Sequence, residues 1–412
     1  MQYKDIAQRL AEDITKNRKP GDRLPGVREL ALQENISLVT ARNVYLLLKE
    51  MGLIAIRQGA GTYVRSFSSK GHVDMATIGP PDEMLLWTAK YLSLPLEGLT
   101  EYDPPLGYEP LRAKAGEWLG TLGVTSLPLV TAGSQQALFL AGMALLKPGD
   151  VVAVEDPCYQ GAVRIFESLG AVIKTIPAIA NEKALDELKD DRISLLYTMP
   201  QGHFPTGLSI PPELREKLLD IAREYGFYIM EDDPISELLG LPPLKSMDKA
   251  DRVIYTKSLS NTLGPGLRIG FSLFPQDILE TVIRLKEIND LSISSLIQRM
   301  LHTLMSSADF TAHTANLKSE LCSRRSYLAD TFGISSQGIC LWVETPMPGR
   351  IFMDQLFHEG IKVTPGDIYG LKWANHVRIS LLRPSGADFP SAAGKVLSRL
   401  KGVGSPMLIN LL

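Results

Sequence analysis

The chain has 412 residues and a mass of 45.3 kDa, which is too long for one ordinary domain and predicts two or three. Its 45% hydrophobic and 22% charged residues are typical of a folded globular protein and exclude general disorder. Three cysteines are too few for a disulfide scaffold, and no run approaches the ~18 uncharged apolar residues that span a bilayer. The polar residues at the N-terminus do not resemble a signal peptide, so we expect a cytoplasmic protein without a membrane partner.

The net charge of −3 conceals an uneven distribution. The first 65 residues hold eleven Lys and Arg against seven Asp and Glu, and the rest of the chain is correspondingly acidic. This pattern suggests that only the N-terminal segment meets an anionic partner, although such a surplus also arises by chance.

The N-terminal segment predicts three helices followed by a hairpin. Helical spacing of apolar residues predicts helices over 3–16, 27–34 and 38–51, and Ser37 is the expected N-cap of the third. The buried stripe of the third helix is predicted to be Ala41, Val44, Tyr45 and Leu48. Strand-like runs at 53–57 and 62–65 flank a glycine-containing turn at 58–61. Two short helices with a turn between them and a following wing predict a helix-turn-helix that binds DNA, or that fold used for protein contacts.

The remainder of the chain, beyond a short polar linker, alternates strand-like and helix-like segments. Strands are predicted at 129–131, 151–154, 171–176, 193–198, 227–230, 252–256 and 268–273, with helices at 135–146 and 212–225 among them. This alternation predicts a mostly parallel sheet covered on both faces. Ligands of such sheets bind at the carboxyl ends of strands.

Polar residues at those strand ends suggest a site for a phosphorylated ring. Gly133 and Ser134 open a helix, where backbone N–H groups bind phosphate, and Arg268 with two serines suits phosphate as well. Tyr159 could stack on a ring, and residues 231–233 are acidic. Each feature also has a plainer interpretation: a helix cap at Gly133, a solvated turn at the acidic cluster, and a structural role for His203.

The N-terminal segment resembles the winged-helix domain of GntR-family transcription regulators, through "GDRLPGVRELA", "ISLVTARNVYLLLKEMGLI" and "RQGAGTYV". The resemblance implies that DNA is contacted by Arg28, Ser37, Thr40, Arg42, Gln58 and Gly59. Many members carry Arg directly after the capping residue, where this chain has Leu38, so its operator would be read differently.

The rest of the chain resembles the fold-type-I aminotransferases, which use pyridoxal 5′-phosphate (PLP), and in particular the aminotransferase-like domain of MocR/PdxR regulators. The matching segments are "GYEPLR", "TAGSQQAL", "VEDPCY", "FPTG", "EDD" and "SLSNTLGPGLRIGF". For the PLP phosphate, the resemblance implies contacts from Gly133, Ser134, Gln135, Ser258, Ser260, Arg268 and, across a dimer interface, Tyr102. It places Tyr159 against the ring, Asp232 at the pyridine nitrogen and Arg378 at a substrate carboxylate.

The implied architecture is α/β. A winged helix-turn-helix (1–66) and a linker (67–74) precede a PLP-dependent-transferase-like large domain (75–300) and a smaller C-terminal α+β domain with the tail (301–412).

Two positions depart from the aminotransferase pattern. Asn261 stands where the family has the lysine that forms a Schiff base with PLP, and an amide nitrogen is not nucleophilic. Pro234 replaces a tyrosine that lies near the phenolic oxygen of PLP and offers no hydroxyl. Lys257 could substitute for the missing amine only if its strand shifted register, and is otherwise expected to be an ordinary surface lysine.

These observations favour a homodimeric transcription regulator that binds a double-stranded DNA operator and senses a small-molecule effector with a degenerate aminotransferase-like domain. PLP or another B6 vitamer, bound without a covalent link, is one candidate effector, and a different molecule or none remains open. Two alternatives are an active PLP-dependent aminotransferase with an accessory head, and a repressor whose larger domain only dimerises.

Overall fold

The computed structural model describes residues 2–17, 22–50, 54–57, 61–64, 72–81, 84 and 99–400. Contacts divide the chain into two units, Met1–His72 and Val73–Leu412, each treated by itself below. Across the described ranges, every helix is too short or too polar to cross a lipid bilayer.

The first unit packs helices against a small antiparallel sheet. Its described elements are α1 (Gln2–Asn17), β1 (Arg23–Leu24), α2 (Val27–Gln33), α3 (Leu38–Glu50), β2 (Ile54–Arg57) and β3 (Gly61–Val64), with strand order β1-β3-β2. The predicted helices and strands are confirmed to within two residues at each end. The predicted helix stop at 20–21, the wing turn at 58–60 and most of the linker lie outside the described residues.

The core of the first unit follows from the apolar spacing of its helices. Ala41, Val44, Tyr45 and Leu48 are all buried, which confirms the predicted stripe of α3. The Ser37 hydroxyl accepts the Thr40 N–H at 3.1 Å and caps the helix as expected.

A seven-stranded sheet forms the centre of the second unit. Its strands are β5 (Leu129–Thr131), β6 (Val151–Glu155), β7 (Val172–Ile176), β8 (Ile193–Thr198), β9 (Tyr228–Asp233), β10 (Val253–Ser258) and β11 (Gly270–Leu273). Their order is β5-β11-β10-β9-β8-β6-β7, and every pair is parallel except those that β11 makes. The prediction of a mostly parallel sheet is therefore confirmed.

Helices cover both faces of this sheet, as predicted. One face packs against α5 (Ser134–Leu145), α6 (Gln160–Ser168) and α11 (Gln276–Asp290). Further helices of the large sheet region are α4 (Glu109–Gly120), α7 (Glu182–Asp186), α8 (Pro212–Tyr225), α9 (Ser236–Leu239), α10 (Ser260–Leu263) and α12 (Ser295–Met305). The elements α7 and α8 lie on the other face, and α4 and α12 enclose a separate apolar cluster.

A smaller α+β region completes the second unit. Its elements are β4 (Val73–Asp74), α13 (Ala308–Phe332), β12 (Cys340–Glu344), α14 (Gly349–His358), β13 (Ile361–Lys362), β14 (Thr364–Pro365), β15 (His376–Ser380) and α15 (Phe389–Leu400). Strand β12 pairs with β15 and β15 with β14, while β4 pairs in parallel with β13. Met75 is consequently buried in the core of this smaller region rather than beside the large sheet.

Strand alternation decides which side chains meet on each face of the large sheet. In β9, Asp232 projects toward the α5 face, whereas Glu231 and Asp233 project to the opposite face. Neighbouring β10 pairs Thr256 with Asp232 and Lys257 with Asp233, so it follows the same division.

Candidate ligand site and nucleic-acid interface

The turn between β5 and α5 forms one wall of the candidate site. Gly133, the N-cap of α5, has φ +80°, a left-handed backbone that favours glycine, and a Cβ there would lie 3.3 Å from the Arg268 guanidinium. Arg268, whose own φ is +49°, donates to the Ala132 carbonyl at 3.0 Å. The exposed guanidinium therefore lies beside the free N–H groups of the α5 N-terminus, an arrangement suited to an anion.

Asp232 is a buried acid on the same face of the sheet. It accepts hydrogen bonds from the Tyr197 hydroxyl at 3.1 Å and from the Ser134 side chain. Burial, with the neighbouring charge of Asp233 adding to it, raises the pKa of Asp232 from 3.8 to about 7. The interpretation of this acidic cluster as a solvated turn is wrong, because all three carboxylates of residues 231–233 are buried.

Tyr159 contacts both the start of α5 and the ring of Phe204. Its hydroxyl donates to Gln135 Oε1 at 2.9 Å, and its ring meets Phe204 edge-on with 6.2 Å between centroids. Burial and the nearby Asp232 raise the pKa of Tyr159, so the phenol stays protonated. Gln135, predicted to contact the phosphate, and Tyr159, predicted to lie against the ring, are thus joined by a hydrogen bond.

Ser258 ends β10, and Ser260 and Asn261 follow it in the short helix α10. Ser258 is buried and its hydroxyl accepts the Ser260 N–H at 3.3 Å. Asn261 is half-buried in the short helix α10, close to Gly79, where a Cβ would lie 3.8 Å from Asn261 Oδ1. The side chain at this position therefore carries an amide that packs against the backbone of a neighbouring segment.

Lys257 occupies the opposite face of the sheet and is not the surface lysine that the sequence suggested. Its side chain is fully buried, its Nζ lies 3.2 Å from Asp233 Oδ1, and it also pairs with Glu237. Although burial alone would lower the pKa of Lys257, the two carboxylates raise it. Lys257 is therefore protonated and directed away from Asp232.

The carboxylate of Asp233 is held by several donors. Burial opposes its ionisation, but Lys257 together with hydrogen bonds from Ser236 and Tyr255 lowers its pKa. The Tyr255 hydroxyl donates at 2.7 Å and the Ser236 N–H at 2.8 Å. Asp233 is thus a structural anion, whereas Asp232 is poised to change protonation near neutral pH.

Arg378 reaches the region from β15 and is almost fully buried. Its guanidinium donates to the Ala76 carbonyl and to Thr364 Oγ1, the latter at 2.7 Å, and lies 4.8 Å from the centre of the Phe204 ring. Its Nε has no hydrogen-bond partner among the described residues. Phe204 therefore contacts both Arg378 and Tyr159.

Tyr102 is a predicted ligand contact at the surface of the second unit. Its side chain is 82% exposed, so within a single chain it is free to meet another molecule. Its role across a dimer interface stays a prediction, as do the roles of the other predicted ligand contacts.

The predicted DNA contacts of the first unit are mostly at its surface. Arg28 and Arg42 are exposed, while the Ser37 and Thr40 hydroxyls lie 2.8 Å apart and hydrogen-bond each other. Gln58 and Gly59 lie outside the described residues. The DNA contacts themselves stay predictions.

PLP fits the residues that surround Asp232. A buried carboxylate with a pKa near 7 lacks sufficient positive charge around it, and a protonated pyridine nitrogen would supply that charge. Gly133, Ser134 and Arg268 would hold the phosphate. The residue that does not fit a covalently held cofactor is Asn261, because it has no amine.

Sequence reasoning missed several residues that shape this region. Tyr197 was seen only as part of an apolar strand, yet its hydroxyl is the partner of Asp232. Phe204 was noted only within "FPTG", and Glu237 was not singled out. The periodicity of β8 and β9 would have indicated that Tyr197 and Asp232 share a face, but nothing local predicts their contact.

Comparison with known proteins gives two family matches. Residues 87–388 match the model described as aminotransferase class I and II, and residues 2–64 match that of bacterial regulatory proteins, gntR family.

Two regulators and one enzyme illustrate what the chain is similar to. It is 32% identical over 304 residues to the uncharacterized HTH-type transcriptional regulator YdfD of Bacillus subtilis, covering 68% of this chain but only 63%, less than two thirds, of that relative. It is 27% identical over 444 residues to the uncharacterized HTH-type transcriptional regulator YdcR of Escherichia coli, covering 92% of this chain and 94% of YdcR. The crystal structure of α-aminoadipate aminotransferase from Thermus thermophilus, complexed with N-(5′-phosphopyridoxyl)-L-leucine, matches with a TM-score of 0.70 and 27% identity over 81% of this chain and 93% of that chain.

Proposed function

Since the chain belongs to the aminotransferase class I and II family and its residues 2–64 match the gntR family, an architecture consistent with the MocR/PdxR group, we propose that it is a dimeric, DNA-binding transcription regulator. In this proposal the first unit binds an operator, and the second unit dimerises and senses a phosphorylated small molecule. The similarity to YdcR, which extends over 92% of this chain, supports the combination of both parts in one regulator.

The observation that carries the proposal is the position of Lys257, whose buried side chain lies on the face of the sheet opposite Asp232 and pairs with Asp233 and Glu237. The resemblance to the aminotransferases implies that Asn261 stands where the family has its Schiff-base lysine, and Asn261 offers only an amide. Moving Lys257 into the site would strand two buried carboxylates without a cation, which costs about 3–5 kcal/mol. A receptor needs no covalent anchor, whereas an aminotransferase does.

We further propose that the sensed molecule is PLP or a related B6 vitamer held without a covalent bond. The backbone N–H groups after Gly133, the Ser134 hydroxyl and the Arg268 guanidinium would bind the phosphate. Asp232 would be ionised and would pair with the protonated ring nitrogen. Tyr159 would lie against the ring and exclude water. In enzymes PLP withdraws electrons from a bound amino acid. In this proposal Asn261 would offer no amine to which PLP could be linked.

The experiment compares DNA affinity and vitamer binding in the full-length protein. DNA ligands are first selected from random duplexes, and their affinity is then measured with and without PLP, pyridoxamine 5′-phosphate and inorganic phosphate. We expect calorimetric binding of at least one vitamer and a change in DNA affinity, because a ligand can shift an equilibrium only by its different affinity for the two states. Equal DNA affinity under all conditions would contradict sensing.

An active aminotransferase with an accessory head is the second candidate, and the family match and the similarity to a solved aminotransferase favour it. It requires covalent attachment of PLP to a lysine. Borohydride reduction followed by peptide mapping separates the two candidates, since a labelled lysine together with turnover would favour the enzyme. Absence of any vitamer binding, with DNA binding intact, would instead favour a repressor whose second unit only dimerises.

A further inference from the structure

Two apolar side chains are exposed at the first turn of α3. Leu38 is 53% exposed and Val39 is 69% exposed, although the same helix buries a complete apolar stripe against the core of its unit. Removing these side chains from water requires a partner outside that core, because the helix is already packed on its other side.

Two polar residues beside them, Ser37 and Thr40, are engaged in hydrogen bonds with each other. The hydroxyls of Ser37 and Thr40 bond each other, and Ser37 also accepts the Thr40 N–H as the helix cap. Among the described residues of this end of α3, the side chains that project outward are Leu38, Val39, Arg42 and Asn43. The surface therefore combines an apolar pair with the cation of Arg42 and the amide of Asn43.

We propose that Leu38 and Val39 read thymine by packing against its 5-methyl group in the major groove. The inference rests on the proposed DNA-binding function and names the base that this chain prefers. The thymine methyl is the one apolar group that the major-groove edge of unmodified base pairs presents. Exposed Arg28 and Arg42 supply the positive charge that a phosphate backbone requires, which favours DNA over an apolar protein surface.

The test uses the full-length protein and duplexes that it selects from a random library. Each thymine of a selected duplex is replaced in turn by uracil, which removes only the methyl group. We expect at least one thymine in each half-site at which uracil weakens binding about fourfold, the effect of one buried methyl group.

Variants then assign the contact. Leu38→Ala or Val39→Ala should weaken binding to the thymine duplex but have little further effect on the uracil duplex, since both changes remove the same contact. Leu46→Ala is the matched control, because Leu46 is 43% exposed on the same helix about 12 Å farther along its axis. Equal affinity for thymine and uracil duplexes would overturn the inference, as would losses that are the same on both. Failure to select any duplex would instead contradict DNA binding itself.

Discussion

Lys257 and Asp233 form a fully buried ion pair between neighbouring strands, and both side chains face away from Asp232. Glu237 joins the pair, and the Thr262 hydroxyl donates to Glu237 from the short helix that carries Asn261. The network therefore links α9 to α10, the short helix that carries Asn261.

Lys257→Met should destabilise the protein by about 3–5 kcal/mol, because it leaves Asp233 and Glu237 buried without a cation. Urea unfolding of the purified variant measures this change. Lys217→Met is the control: Lys217 is half-exposed and pairs with Glu182 at the surface, so its loss should cost at most ~1 kcal/mol. Comparable losses in the two variants would argue against a structural role for the Lys257 pair.

Asn261→Lys should restore covalent capture of PLP. The substitution places an amine at the position where the resemblance to the aminotransferases implies one, while Lys257 stays in its ion pairs. We expect borohydride to fix the vitamer to residue 261 of the variant and to label no lysine of the unmodified protein. Labelling of Lys257 in the unmodified protein would contradict the assignment of its orientation.

Asp232→Asn should reduce the pH dependence of stability in the absence of ligand. The folded pKa of about 7 lies above the ordinary 3.8, so the folded state binds more protons between these values and the free energy of unfolding falls as pH rises through them. Asparagine does not ionise, so residue 232 of the variant no longer contributes to this fall in the free energy of unfolding. At pH 8 the variant should be more stable than the unmodified protein by on the order of 2–4 kcal/mol. Urea unfolding at pH 5 and pH 8 measures the difference.

Vitamer affinity should distinguish Asp232 from Glu231, a second buried acid in the same strand. Asp232→Asn should weaken vitamer binding about 10- to 100-fold, the value of a hydrogen bond to a charged group. Glu231→Gln changes an acid whose pKa is also raised to about 7, mainly by burial, but which faces the other side of the sheet and accepts N–H groups of Leu244 and Lys245. It should leave vitamer binding unchanged, and equal losses in both variants would remove the case for Asp232.

Arg42→Ala and Arg268→Ala should separate the two functions. Loss of the Arg42 charge should weaken DNA binding and reduce the salt dependence of its affinity by about one unit of slope, without changing vitamer binding. Loss of the Arg268 guanidinium should weaken vitamer binding while ligand-free DNA affinity stays the same. If each variant loses both DNA binding and vitamer binding, the assignment of DNA binding to the first unit and of vitamer binding to the second unit is wrong.

The element order could be predicted because its signals are local. The stripe of α3 follows from helical spacing, and the helix Pro212–Tyr225 lies where the sequence predicted it, between a proline and a C-terminal glycine. The ends of β9 and β10 were less well predicted: the sequence ended them at 230 and 256, whereas they continue to Asp233 and Ser258. A run of charged residues is predicted to be a loop when its partners are unknown, because burying an unpaired charge is costly.

The sequence by itself determined the two-part architecture and the helix that begins after Gly133, since each depends on residue type and short spacing. Only the tertiary structure decided that Asp232 is separated from Asp233 and Lys257 by the sheet, and that Phe204 contacts both Tyr159 and Arg378. The reason is that strands remote in sequence bring the compensating charges and rings together, and the burial of an acid or a lysine depends on those partners.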